Sequence, residues 1–192
     1  MCGWLNSPSI CTSWTGVVCN AGQVSSLTLN SNNLVGTIPA SLSALTALTA
    51  LDLNGNQLSG SIPTSLGSLS ALNALLLGGN LLEGSIPPQL GDLNSLAQLD
   101  LGDNKLSGPI PAELGQLSNL TIWLYLGGNQ ISSIASSDFA GLANLRELSL
   151  SGNQITSIES NAFAGLTSLQ SLDLFHNRIF ELNLSGADFE SL

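Results

Sequence analysis

"LTALDLNGN", residues 48–56, and "LNALLLGGN", residues 72–80, carry one pattern, L-x-x-L-x-L-x-x-N, repeated 24 residues apart. The pattern continues in both directions. "VSSLTLNSN" (24–32) precedes it, and "LAQLDLGDN" (96–104), "LRELSLSGN" (145–153) and "LQSLDLFHN" (169–177) follow. The closing asparagines Asn32, Asn56, Asn80, Asn104, Asn129, Asn153 and Asn177 are spaced 24, 24, 24, 25, 24 and 24. Seven tandem units are therefore present, and a fixed period of this length is the mark of a stacked-repeat architecture.

The spacing predicts the coil. An L-x-L alternation is a short strand with both leucines on one face, and 24 residues suffice for that strand plus a return path. Stacked coils set their strands side by side in a parallel sheet with the leucines inward, and neighbours bury what one coil alone cannot. The asparagine follows the strand, where its amide can satisfy backbone groups left unpaired by the bend. The expected result is an α/β solenoid with an asparagine ladder.

Composition narrows the function classes. The chain has 192 residues with 43% apolar content, enough for a real core and too much for generic disorder. Only 8% of residues are charged, and 13 acidic against 3 basic side chains (Lys105, Arg146, Arg178) give a net charge of −10. That balance argues against nucleic acid and anionic membrane as partners, since both need a basic patch, and leaves cationic or neutral partners open. No apolar run is long enough to span a bilayer. "MCGWLNSPSI" lacks the basic start, apolar stretch and cleavage site of a signal peptide, so the signal lies outside this segment or the protein is cytosolic.

The seven blocks resemble the leucine-rich repeat family over about residues 24–192. Units one to four (24–119) carry "VGTIP", "SGSIP", "EGSIP" and "SGPIP", similar to the plant-type subclass of receptor ectodomains and secreted inhibitors. Later units (120–192) have no proline; "ISSIASSDFAGL" and "ITSIESNAFAGL" resemble the typical extracellular subclass. "CTSWTGVVC" (11–19) resembles the amino-terminal cap of plant-type arrays, so residues 1–23 read as a truncated cap. The resemblance implies a right-handed superhelix with a parallel concave sheet and an irregular or short-helical convex side. It also implies a Cys11–Cys19 disulfide with Cys2 left over, an extracellular location, and a ligand on the concave face. Three reduced cysteines in a cytosolic protein are the alternative. The last unit ends on "LSGADFESL" with no matching carboxy-terminal cap, and "NLT" at Asn119 and "NLS" at Asn183 are glycan acceptors if the protein is secreted.

The fifth unit, "LSNLTIWLYLGGNQI" (117–131), has one residue too many. Strict alternation from Leu120 predicts Leu120, Ile122, Leu124 and Leu126 inward and Thr121, Trp123 and Tyr125 outward, on a longer or bulged strand. Early coils offer the concave face small polar residues; later ones add aromatics. Trp123, Tyr125 and Phe175, flanked by Asp100, Glu147, Asp173 and His176, form the candidate ligand-binding patch. Trp and Tyr dominate hot spots, and the acidic rim favours a basic protein or peptide partner. Catalysis finds no support: there is one histidine, His176, and no phosphate loop, metal-ligand cluster or nucleophile elbow, so neither enzyme activity, cofactor nor metal is expected. Asp100 and Asp103 read as solvated carboxylates, too few in oxygen ligands for calcium. Two further functions fit such a solenoid: a structural or ice-binding surface, and a secreted inhibitor of a wall-degrading enzyme. The oligomeric state is left open.

Overall fold

The computed structural model describes Cys11 and residues 14–182. Every L-x-L segment is a strand. Gln23–Thr28, Ala50–Asp52, Ala74–Leu76, Gln98–Asp100, Trp123–Tyr125, Glu147–Ser149 and Ser171–Asp173 pair in parallel, each with the next. The register aligns Leu27, Leu51, Leu75, Leu99, Leu124, Leu148 and Leu172 in one inward row. All but Leu172, which is half-buried, are shut away from water in a core that runs unbroken from Val24 to Leu169. Ahead of this row, Val17–Asn20 pairs antiparallel with Gln23–Thr28 and completes an eight-stranded sheet. The Cys11–Cys19 disulfide, with 5.5 Å between Cα atoms, ties Cys11 to the third residue of that strand. Cys2 and Asn183 lie outside the described residues.

The return path is more regular than the sequence suggested. Val35–Thr37, Gln57–Gly60, Leu81–Gly84, Lys105–Gly108 and Gln130–Ile131 form a second, five-stranded sheet. Stacking at constant period sets each extended segment beside its copy in the next coil, and their backbone groups then pair rather than stay orphaned. Each of the first four coils next makes a short 3-10 helix: Ala40–Ala44, Thr64–Ser68, Pro88–Asp92 and Ala112–Gln116. A proline, from Pro39 to Pro111, stands at every N-cap, where φ is already suitable and a missing N–H loses nothing. These helices bury Leu42, Leu66, Leu90 and Leu114. Ten residues after the asparagine, coils five and six instead insert Phe139 and Phe163, stacked 6.2 Å apart. Their flank strands, Ser133–Ile134, Ser157–Ile158 and Glu181–Leu182, make a separate sheet.

The asparagine ladder forms. In coil three, Asn80 Oδ1 accepts from the Leu58 N–H of the preceding coil at 3.0 Å, and its Nδ2 donates to Leu53 O and Leu77 O at 3.0 Å each. Asn56, Asn104, Asn129, Asn153 and Asn177 repeat the arrangement. The preceding residue takes the left-handed conformation in every coil. It is glycine in four coils but Ser31, Asp103 and His176 (φ 55°, 49° and 53°) in the others.

Candidate functional site

Strand five is where the extra residue had to go, and it is neither longer nor bulged. Trp123–Tyr125 has three residues like its neighbours and pairs without a shift with Gln98–Asp100 and Glu147–Ser149. The insertion is taken up just before the strand. Leu120 keeps its turn, its N–H donating to Leu117 O at 2.8 Å as Leu96 does to Leu93 at 2.9 Å. Ile122 occupies the pre-strand position, its N–H on Ala97 O and its carbonyl accepting from Glu147 N–H, both at 3.2 Å. Thr121 is thus the added residue. The expectation that Ile122 turns inward is corrected: it is 37% exposed, while Leu120, Leu124 and Leu126 are fully buried. A bulge inside the strand would break register with both neighbours, whereas a residue in the turn disturbs nothing that is paired. Thr121 also completes the Asn119-Leu120-Thr121 triplet; Asn119 is exposed, and its Nδ2 donates to Asn94 O at 2.7 Å.

Holding the leucines inward turns Trp123 and Tyr125 onto the opposite, concave face. Their rings stack at 5.6 Å with 13° between planes. The Trp123 Nε1–H is buried with no acceptor. Such an orphaned donor costs roughly 1–3 kcal/mol. The register sets Trp123 between Gln98 and Glu147, and Tyr125 between Asp100 and Ser149.

The carboxylates differ in their surroundings. Asp100 is not the solvated group expected: it accepts from Gly102 N–H at 3.0 Å and from Asn54 Nδ2, two coils away, at 2.9 Å. Burial pushes its pKa up, against the lowering pull of those two bonds. Asn54 reaches across because coil three has Gly78 there, whose N–H donates to Asn54 Oδ1 at 2.6 Å. Glu147 Oε2 accepts from the Tyr125 hydroxyl at 2.7 Å. That bond, with burial adding, pushes the Tyr125 phenol up to about 12. Since the folded value is raised, the bond's contribution is complete below the ordinary tyrosine pKa of about 10 and is lost as pH rises through the folded value. Tyr125 is the one tyrosine of the chain, so ultraviolet titration of the phenolate reads it alone. We expect a midpoint near 12 that falls toward 10 in Glu147→Gln; a midpoint near 10 in the intact protein would show that the bond is not made.

Two hollows of about 250 Å³ each flank the ring of Tyr125. One is bounded by Asp100, Asp103, Ser149 and Ser151, over the backbone of Gly102, Gly127 and Gly128. The other lies among Glu147, Ser149, Ser171 and Asp173. The first exists because three positions there have no side chain; a Cβ on Gly127 would lie 3.0 Å from Ser151 O, and one on Gly128 would collide with the Asp103 carboxylate. Of the sequence-derived set, Tyr125, Asp100, Glu147 and Asp173 bound the hollows, and Trp123 joins them only by stacking on Tyr125. Phe175 and His176 do not. They pair with each other, 4.1 Å between centroids, and bound neither hollow. Phe175 is 69% exposed, and His176 is also exposed. Alternation also puts Asn54, Ser149 and Ser151 on the concave face, but their small polar side chains carry no signal for the patch until register sets them beside Tyr125 and Asp100.

Models of the leucine-rich repeat match residues 22–82 and 122–179, and a second such model matches 95–117. The chain belongs to the leucine-rich repeat family. Among solved leucine-rich repeat structures it resembles the ectodomain of the plant membrane receptor kinase GASSHO1/SCHENGEN3 from Arabidopsis thaliana, solved with CASPARIAN STRIP INTEGRITY FACTOR 2. That likeness has TM-score 0.73 and 38% identity over 83% of this chain and 19% of that one. The BIR3–SERK2 complex, also from Arabidopsis thaliana, matches with TM-score 0.66 and 43% identity over 76% of this chain and 77% of that one. A plant ice-binding protein matches with TM-score 0.74 and 29% identity over 87% of this chain and 62% of that one. No curated protein matches the chain. Among the described residues no helix is long and apolar enough to cross a membrane.

Proposed function

We propose that this leucine-rich repeat chain is a non-catalytic extracellular recognition module that binds a protein or peptide on its concave face, with Trp123 and Tyr125 as the hot spot. One observation carries the reading. A stacked aromatic pair stands on strand five, where the same two positions of other coils hold Ser, Thr, Ala, Leu, Asp, Glu or Gln, and its indole N–H is buried without an acceptor. Large amphipathic rings held by packing lose little conformational freedom on binding and supply most interface energy. The resemblance to the ectodomain solved with CASPARIAN STRIP INTEGRITY FACTOR 2, and to the BIR3–SERK2 complex, supports the same class of function.

The test is a displayed library of random short peptides, selected on the intact protein. Trp123→Ala leaves the buried leucines in place, so it should melt near the parent temperature while weakening the selected peptides by about 2 kcal/mol, or roughly thirtyfold. Peptides that bind Trp123→Ala and Tyr125→Ala as well as the parent would refute the assignment. A second reading, a surface that orders on ice, is favoured by the likeness to the plant ice-binding protein. Against it, the register column Ser26, Ala50, Ala74, Gln98, Trp123, Glu147 and Ser171 is no continuous file of Thr or Ser. Thermal hysteresis of the purified protein separates the two.

A further inference from the structure

We infer that the two hollows beside Tyr125 are subsites for basic side chains, and that the ligand is an extended peptide presenting two lysines or arginines on one face, one on each side of the Tyr125 ring. The inference rests on the peptide-binding reading and goes further, to the chemistry of the peptide.

Charge complementarity carries it. Each hollow is walled by two carboxylates, Asp100 with Asp103 in one and Glu147 with Asp173 in the other. No strand of the concave sheet contains a lysine or arginine. The three cations of the chain lie elsewhere: Lys105 is in the second sheet, Arg146 ends the turn before Glu147, and Arg178 follows the asparagine of the last coil. Asp100, Glu147 and Asp173 are fixed in place by bonds that leave acceptor capacity over. Asp100 receives one N–H on each oxygen, Glu147 one hydroxyl, and Asp173 the Phe175 N–H at 3.0 Å. A carboxylate has about four acceptor sites, so each can still take a guanidinium or ammonium.

The aromatic pair supplies what acids alone lack. Tyr125 bounds both hollows, so a cation seated in either has a ring face or edge beside it as well as carboxylate oxygens, the arrangement that favours arginine. The spacing selects an extended ligand. Alternate residues of a strand point to one side about 6.6 Å apart, enough for two side chains to straddle one ring. Ser149 and Ser151 over a floor of glycine backbone in the first hollow, and Ser149 and Ser171 in the second, leave room for a long side chain to enter.

The same displayed library tests the chemistry separately from the function. Peptides whose binding depends on Trp123 or Tyr125 should be enriched in Arg or Lys at two positions with one residue between. Their affinity for the intact protein should fall with added salt. Asp100→Asn and Glu147→Gln, near-isosteric changes that keep an acceptor oxygen, should each weaken them about tenfold. The salt series needs no variant, so it still decides if a substitution unfolds the coil. Peptides that depend on the rings but are neutral or acidic, or are indifferent to both salt and carboxylate, would overturn the basic subsites and leave the recognition reading standing. If no selected peptide depends on Trp123 or Tyr125, both fall.

Discussion

Asn80→Ala should destabilise the protein by roughly 3–5 kcal/mol, while Asn32→Ala, the same substitution in the first coil, should cost less than about 1 kcal/mol. Both residues occupy one sequence position of the repeat. Asn80 is buried, and removing its amide strips the acceptor from the buried Leu58 N–H and a donor from Leu53 O and Leu77 O. The Leu58 N–H would then be unsatisfied at about 1–3 kcal/mol, while Leu53 O and Leu77 O, which keep the Asn56 and Asn104 amides as donors, each lose one bond worth about 0.5–1.5 kcal/mol. Asn32 is exposed, and its Nδ2 donates to Asn30 O, which water can reach. Urea unfolding of the two variants measures the difference. Because a repeat array can open coil by coil, amide exchange at Leu58 serves as a local reading. Equal losses at the two positions would show that the ladder does not hold adjacent coils together.

Phe163→Ala should cost about 3–5 kcal/mol, as should Phe139→Ala. Both rings are almost wholly buried and stack on each other across two coils that lack the 3-10 helix of the first four. Truncation therefore leaves a cavity at a site where no short helix remains to collapse inward. The double variant should lose less than the sum of the singles, by about 0.5–1.5 kcal/mol, because the second ring has already lost its partner. Strict additivity would mean that each ring packs independently against the leucines. The loss should concentrate in coils five and six, since a repeat array's stability is set largely by the interfaces between adjacent coils.

The period of 24 and the L-x-L alternation sufficed for the stacked coils, the inward leucine row and the ladder, because period-2 side-chain alternation and a constant return length permit one way of burying those leucines. The second sheet was not legible, since short segments such as "KLSG" show no strand signal of their own and pair through stacking alone. Trp123 and Tyr125 could be placed on the concave face by letting Leu124 and Leu126 win the core, at about 1.5–3 kcal/mol per leucine. Ile122 could not be placed. Alternation sent it inward, and only the ladder bonds to Ala97 and Glu147, fixed by two neighbouring coils, show that the chain resets its phase at Thr121.

The site divides along the same line. Sequence determined the cast of the concave face, its lack of cations and its aromatic coil, since these follow from which residues face away from the leucines. Tertiary structure decided which of them meet. Tyr125 reaches Glu147 rather than Phe175, and Asn54 reaches Asp100 over Gly78. Those contacts join residues 22 and 46 positions apart, and their geometry depends on rotamers and coil stacking that no local pattern encodes.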